Sequence, residues 1–258
     1  MPAGSGLEGR VALITGASRG IGRGVAVRLA ADGADVAVNY RDNERAAAET
    51  VKLVEGLGRR ARAYRASVDS WDADVAMAEA VLEDFGFVDF LILNGGPTST
   101  GQLVTETDAA EFVSNMSTHA FGANYLCKLL VPQMRLRPRG DIAVMSSIST
   151  SYIGARGAPY NMAKVALEAL AVTLAAEERE HGIRVNIVAP GMVATDMGDS
   201  YAQMAAGVAR ATDLDATAPF GRVCRVEDVA GVVAFLVSDD GFYVTGQRIG
   251  VDGGQGLL

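Results

Sequence analysis

Val11-Ala12-Leu13-Ile14-Thr15-Gly16-Ala17-Ser18-Arg19-Gly20-Ile21-Gly22 is an apolar run that ends in a glycine-rich turn. The run predicts a short buried strand, Val11–Thr15. The residues after the turn predict a helix to Asp32, with Gly33 as its terminator. Gly16 allows the tight turn, Gly20 lets backbone approach a pyrophosphate, and Gly22 lets the helix pack closely on the sheet. The helix N-terminus then presents N–H groups to the phosphates, with Ser18, Arg19 and Ile21 in the same cradle. The spacing is Gly-x-x-x-Gly-x-Gly, not the better-known Gly-x-Gly-x-x-Gly. Plain turns use glycine too, so it is the position between strand and helix that points to a phosphate cradle.

Outward from this turn, strand and helix alternate. Asp35–Tyr40, Arg60–Ala66, Phe90–Leu93, Ile142–Met145, Ile183–Val188 and Gln247–Val251 read as further strands. Helices are expected from Asn43 to about Leu57, from Ser70 through Phe85, from about Ala109 to Leu136, over Pro159–His181 and over Val226–Val237. This is an α/β pattern: a doubly wound parallel sheet of about seven strands with helices on both faces. No repeat or linker interrupts it, so one domain over residues 1–258 is expected. Its cofactor half spans about 9–140 and its catalytic and substrate half about 141–258.

The chain has 258 residues, 49% hydrophobic and 21% charged, with a formal net charge of -8. Such a composition argues against disorder, and an acidic chain without a basic tract is a poor partner for nucleic acid or an anionic membrane. Cys127 and Cys224 form no disulfide framework, and no His/Cys cluster suggests a metal. No apolar run reaches membrane-spanning length, and Met1–Arg10 has no signal-peptide pattern. A cytoplasmic protein is the expectation.

The end of the second strand bears on the cofactor. A chain that binds NAD usually places Asp or Glu there for the ribose 2′-OH. Here the run is Val38-Asn39-Tyr40-Arg41, with no acid before Asp42. Arg41, with Arg19 from the turn, suits a 2′-phosphate and hence NADP(H). The alternative is that both are solvated surface arginines.

Tyr160-Asn161-Met162-Ala163-Lys164 places Tyr and Lys four apart at the start of a predicted helix, on one face. Pro159 suits the first helical position. The helix dipole and the ammonium are both expected to lower the Tyr160 pKa and make its hydroxyl a usable acid. Ser147 follows strand five, thirteen residues earlier, where its hydroxyl can polarise the same substrate oxygen.

With the turn at Gly16, Gly20 and Gly22, these residues resemble the short-chain dehydrogenase/reductase family, over about Gly9 to Gly254. Further marks are Leu93-Asn94-Gly95-Gly96 after strand four, Pro190-Gly191-Met192-Val193-Ala194-Thr195 after strand six, and Thr245-Gly246-Gln247 with Val251-Asp252-Gly253-Gly254 in the tail. The resemblance implies a Rossmann-type fold and a role for each matching position. Tyr160 protonates a carbonyl or deprotonates an alcohol. Lys164 lowers the Tyr160 pKa and binds the nicotinamide ribose, and Ser147 positions the substrate oxygen. Asn94, Gly95 and Gly96 line the adenosine side. Thr195, with Pro190, Gly191 and Val193, holds the carboxamide. Asn39, Tyr40 and Arg41 fall where the family selects NADP(H). A homotetramer or dimer is implied as well.

Three positions depart from the family pattern. Leu93 replaces the first of two Asn. Ser67-Val68 replaces an Asp-Val that meets the adenine, so Ser67 offers an uncharged partner. His119 stands where the family has an Asn that helps hold a proton-relay water. Two readings stay open: His119 holds that water and titrates near neutrality, or it packs there while backbone carries the relay.

Pro97–Thr100, Ser149–Pro159 and Met192–Pro219 are expected to flank the substrate. Met192, Met197, Tyr201 and Met204 either line an apolar pocket or pack a lid helix on the core. Tyr152 and Ile153 lie near Ser147. Arg135, Arg137 and Arg139 either balance a helix C-terminus or form a basic surface for an acidic carrier protein, as in related 3-oxoacyl-[acyl-carrier-protein] reductases. The leading expectation is an NADPH-dependent reductase of a ketone or 3-oxoacyl group, thioesters included. Its rivals are an alcohol dehydrogenase working oxidatively and a non-catalytic NADP(H) sensor or scaffold.

Overall fold

A computed structural model describes residues 6–255. Its strands are β1 (Val11–Ile14), β2 (Asp35–Tyr40), β3 (Ala61–Arg65), β4 (Phe90–Leu93), β5 (Gly140–Met145), β6 (Ile183–Pro190) and β7 (Arg248–Val251). They form one sheet in the order β3-β2-β1-β4-β5-β6-β7, and every pairing is parallel. The order reverses between β1 and β4, which opens a crevice at their C-terminal ends.

The helices are α1 (Gly20–Ala31), α2 (Glu44–Glu55), α3 (Trp71–Phe85), α4 (Ala109–Met116), α5 (Gly122–Met134), α6 (Ala158–Glu178), α7 (Asp196–Ala206) and α8 (Val226–Val237). Asn43 and Ser70 cap α2 and α3 as expected, accepting from the N–H groups of Ala46 and Ala73. Successive strand residues point to opposite faces and helices cover both, so β1, β2, β4, β5 and β6 are buried at every residue, while the edge strands β3 and β7 are partly exposed. Val11, Leu13, Leu91 and Leu93 join one core with α3, α5 and α6. Ala12, Ile14, Phe90 and Ile92 join the other with α1, α2 and α8.

The single long helix expected over Ala109–Leu136 is a correction. A π-helical turn, Ser117–Phe121, interrupts it, and α5 stops at Met134. Such a turn inserts one residue into the helical ladder and is frequent at functional sites. Here it carries His119. At its end Gly122 lies against the Val68 carbonyl, where a Cβ would come within 2.0 Å of the oxygen. The Val68 backbone and the π turn thus meet at the crevice. Among the described residues, no helix is long and apolar enough to cross a membrane.

Candidate active site

The phosphate cradle is built from backbone. Gly16 and Gly20 have φ of 62° and 54°, in the left-handed region that favours glycine. A Cβ on Gly22 would sit 2.4 Å from the Gly16 carbonyl oxygen and 2.7 Å from Asn94 Nδ2, so the close approach of α1 requires glycine. Arg19 at the N-cap makes no side-chain cap, and the first turn of α1 holds no acid. That leaves the first N–H groups and the positive end of the dipole for an anion. Arg23 pins the cradle from behind, donating to the Ser18 carbonyl at 3.0 and 2.6 Å.

Asn94 joins the cradle to β4. Its Nδ2 donates to the Thr15 carbonyl at 2.9 Å, and Thr15 Oγ1 accepts from the N–H groups of Asn94 and Gly95 at 2.8 and 3.0 Å. On the other wall, Thr195 caps α7 by accepting from Gly198 N at 3.1 Å. Its Cγ2 lies 3.6 Å from where a Cβ on Gly20 would sit. The Pro190–Thr195 loop is held by Gly191 N donating to the Val251 carbonyl at 3.0 Å and by Val193, buried beside Cys224. The crevice therefore brings together the two sequence motifs expected at the two ends of a dinucleotide.

At the cofactor-selecting end the three expected residues separate. Asn39 is buried, accepts from Gly16 N at 3.1 Å and donates to the Ala66 carbonyl at 3.1 Å, so it braces the cradle from inside. Tyr40 is buried too. Only Arg41 is exposed, paired with Asp42 at 2.6 Å. Arg19 is exposed and pairs with Asp196 at 2.9 Å. The sequence reading missed Arg65, which is paired with Tyr40 in strand register and donates to the Arg41 carbonyl at 3.2 Å. Strand alternation alone assigned it no role. Ser67 donates to Asp69 at 2.6 Å.

Tyr160 and Lys164 lie on the first turns of α6. Lys164 is 3% exposed, donates to the Met145 carbonyl at 2.7 Å, and sits 5.4 Å from the centre of the Tyr160 ring. Burial pulls its pKa down to about 7, partly offset by Glu168. Burial pushes the Tyr160 pKa up to about 12, against the lowering effect of a hydrogen bond from Ser147. The expected depression of the Tyr160 pKa is thus corrected: desolvation of a phenolate outweighs the neighbours that favour it. Tyr160 is a proton-bearing phenol across the neutral range.

Ser147 is held by a network the sequence reading did not find. Glu168 accepts from Ser146 Oγ at 2.5 Å, Thr150 Oγ1 at 2.8 Å and Arg248 Nε at 3.0 Å. Arg248 also donates to the Ser147 carbonyl at 3.0 Å. The spacing of Glu168 one turn beyond Lys164 was the available signal.

His119 is 3% exposed and packs edge-on against the Tyr160 ring at 5.5 Å. Its Nε2 donates to the Pro97 carbonyl at 2.8 Å, which leaves Nδ1 as a buried acceptor without a protein partner. The ring fits because residue 96 is glycine: a Cβ there would lie 2.0 Å from it. Burial and the Lys164 charge hold its pKa well below the usual histidine range, against a smaller rise from Pro97. Titration near neutrality is therefore corrected. The ring stays neutral. His119 and Leu93, two of the three departures, line the same cavity of about 10 Å³, the size of one water.

The three expected substrate segments meet. Ser99 Oγ donates to the Arg156 carbonyl at 3.3 Å, Arg156 Nη1 donates to the Gly101 carbonyl at 3.2 Å, and Gly101 abuts Met204 of α7. α7 packs through Gly198 and Ala202, while Met197, Tyr201 and Met204 stay exposed, as do Tyr152 and Ile153. Arg135, Arg137 and Arg139 lie elsewhere, at the N-terminal edge of β5. Arg135 is bidentate on Glu178, Arg137 pairs with Asp89 at 3.1 Å, and Arg139 pairs with Asp141 at 3.0 Å and Asp239 at 2.8 Å. Their charge is paired with these carboxylates.

The family described as Enoyl-(Acyl carrier protein) reductase matches residues 16–255. L-rhamnose 1-dehydrogenase (NAD(P)(+)) of Sphingomonas sp. (strain SKA58) is 36% identical over 253 residues, 96% of this chain and 97% of the relative. The 3-oxoacyl-[acyl-carrier-protein] reductase FabG of Staphylococcus aureus (strain Mu50 / ATCC 700699) is 35% identical over 253 residues, 95% of this chain and 97% of the relative. The crystal structure of levodione reductase superposes with a TM-score of 0.91 at 28% identity, covering 98% of this chain and 99% of that one. With the glycine cradle and the Ser147–Tyr160–Lys164 wall in place, the chain belongs to the short-chain dehydrogenase/reductase family of oxidoreductases, in its 3-oxoacyl-[acyl-carrier-protein] reductase-like branch.

Proposed function

We propose that the protein is an NADP(H)-dependent reductase that converts a ketone or 3-oxoacyl group to a secondary alcohol, with Tyr160 as the proton donor. The observation that carries this reading is the group of half-buried Ser147 and Tyr160 with buried Lys164, beside a cradle that only glycine permits. The cradle fits a dinucleotide: its helix end is uncapped and free of acid, and Gly22 admits no Cβ. Gly16, Ser18, Arg19, Gly20, Ile21 and Gly22 hold the pyrophosphate, while Asn94, Gly95, Gly96, Ser67 and Val68 border the adenosine. Pro190, Gly191, Val193 and Thr195 hold the carboxamide. The exposed arginines at positions 19, 41 and 65, with no acid ending β2, favour the 2′-phosphate of NADP(H).

When bound, the nicotinamide supplies hydride to the carbonyl carbon. Tyr160 Oη gives its proton to the carbonyl oxygen, and the Ser147 hydroxyl hydrogen-bonds that same oxygen. Lys164 stabilises the phenolate that results. A phenol that keeps its proton through neutral pH is in the form that proton donation to a carbonyl requires. His119 stays neutral, fixes the Pro97 loop through Nε2 and offers Nδ1 as an acceptor to the relay water. Exposed Val113, Phe121, Val165 and Val172 on α4–α6, with Phe242 and Tyr243 before β7, support a homotetramer.

NADPH oxidation with a panel of ketones, diketones and 3-oxoacyl thioesters tests this reading. Turnover of at least one is expected. NADPH binding without turnover of any would support the sensor instead.

A further inference from the structure

We propose that Arg156 is a specificity residue, whose guanidinium binds an anionic group, carboxylate or phosphate, at the far end of the substrate that Tyr160 reduces. The proposal rests on the reductase reading above. Arg156 lies between Ser147 and Tyr160 on the loop that leads into α6, four residues from Tyr160. Four residues span at most about 14 Å, so one small, elongated molecule reaches both.

Three observations converge on this side chain. Its backbone has φ of 67°, one of two non-glycine residues in the left-handed region among those described. Such a conformation costs energy and persists only where neighbours hold it. Ser99 holds it: the one Ser99 Oγ proton is shared between Glu111 at 3.0 Å and the Arg156 carbonyl at 3.3 Å, and Glu111 also accepts from Thr100.

The guanidinium is the second observation. It lies across the site at the Gly101 carbonyl, where the three substrate segments meet. Among the described residues no carboxylate forms an ion pair with it, whereas Arg19, Arg41, Arg135, Arg137, Arg139 and Arg248 are all paired. Glu111, the acid tied into the same loop, has its oxygens engaged by Ser99 and Thr100. The Asp196 and Asp199 carboxylates of α7 face Arg19 and the Ala211 N–H. Four of the five guanidinium N–H donors are left for a ligand.

The third observation is the surroundings. Tyr152, Ile153, Met197, Tyr201 and Met204 belong to two of these segments and are exposed. An exposed guanidinium beside these apolar side chains matches an amphipathic ligand, with an apolar body and one anionic end.

The test uses the full-length protein and a homologous series of keto acids, their methyl esters and matching keto phosphates. Wild type is expected to prefer an anionic member over its ester in kcat/KM, with an optimum chain length. Arg156→Ala should lower the acid-to-ester ratio by about 10- to 100-fold, through KM, and Arg156→Lys should restore part of it. The phosphate arm tells which anion fits better. Equal kcat/KM for acid and ester in wild type overturns the proposal, as does an Arg156→Ala variant in which both fall together, since that is a loop latch alone. If esters are turned over without any preference, the reductase reading survives and this inference fails. If no ketone is reduced, calorimetry of keto acid against ester in the presence of NADP+ still decides it: equal binding overturns the anion site.

Discussion

The two edges of the sheet use charge in opposite ways. At the N-terminal edge, Arg10, Arg137, Arg139 and Arg184 surround Asp89 and Asp141, and each carboxylate has several partners. At the C-terminal edge, among the described residues, Lys164 has a single carbonyl partner, His119 keeps an unpaired Nδ1, and Arg156 has no carboxylate. Both edges bury polar groups. Where the groups are paired they hold β5, β6 and the chain ends together. Where they are left with donors and acceptors to spare, they are available to a substrate. Substitution at the two edges should therefore separate activity from stability.

The largest effect is expected at the C-terminal edge. Ser147→Ala should lower kcat/KM by about 10³-fold, because it removes the hydrogen bond to the reacting oxygen. Its melting temperature should stay close to wild type, since the Glu168–Arg248 network holds the Ser147 loop through backbone and neighbours. A variant that loses both together would break the contrast.

At the opposite edge the outcome reverses. Arg139→Ala removes ion pairs to Asp141 and Asp239 and hydrogen bonds to the Val237 and Ser238 carbonyls. Stability should fall by about 3 kcal/mol in denaturant unfolding, because Asp141 stays buried with fewer partners. The kcat of the folded fraction should be unchanged.

Lys164 links the two quantities through pH. In the folded protein its pKa is about 7, against an ordinary value of 10.5. Between these values the unfolded chain binds more protons, so this group makes stability rise with pH across that window. Lys164→Met should remove the rise, so its melting-temperature advantage shrinks from pH 7 to pH 10. The rate of reduction should fall as pH rises through about 7, where the ammonium is lost. His119, neutral throughout, should contribute no limb near pH 6.5.

The smallest effect is at the rim. Arg41→Ala should raise KM for NADPH by about 10-fold and leave KM for NADH alone, because the exposed guanidinium meets only the 2′-phosphate. An unchanged NADPH preference would remove Arg41 from cofactor choice.

Much of this was legible in the chain. Phe90–Leu93 and Val226–Val237 form as read, since apolar runs and helical periodicity are local properties. The cradle was legible because its glycines answer backbone demands that any solution of the turn must meet. The π turn at Ser117–Phe121 was not, because one inserted residue hardly disturbs an apolar pattern read at 3.6-residue spacing. Nor were the pKa values of Tyr160 and His119: sequence spacing shows the neighbours that charge a group but not the burial that opposes them. Asn39 was placed at the cofactor, yet it faces inward, because it follows Val38 on a strand buried along its whole length. Arg65, Arg156 and Glu168 carry no motif of their own, and only the folded chain brings them to the site.

The most direct test of the central claim is NADPH consumption by wild type and Tyr160→Phe, measured side by side on the ketone panel with NADPH binding as the control. The account predicts that wild type turns over at least one carbonyl compound, and that the variant binds NADPH equally but is slower by about 10³-fold or more. A variant that keeps its rate, or a wild type that binds NADPH and reduces nothing, would contradict it.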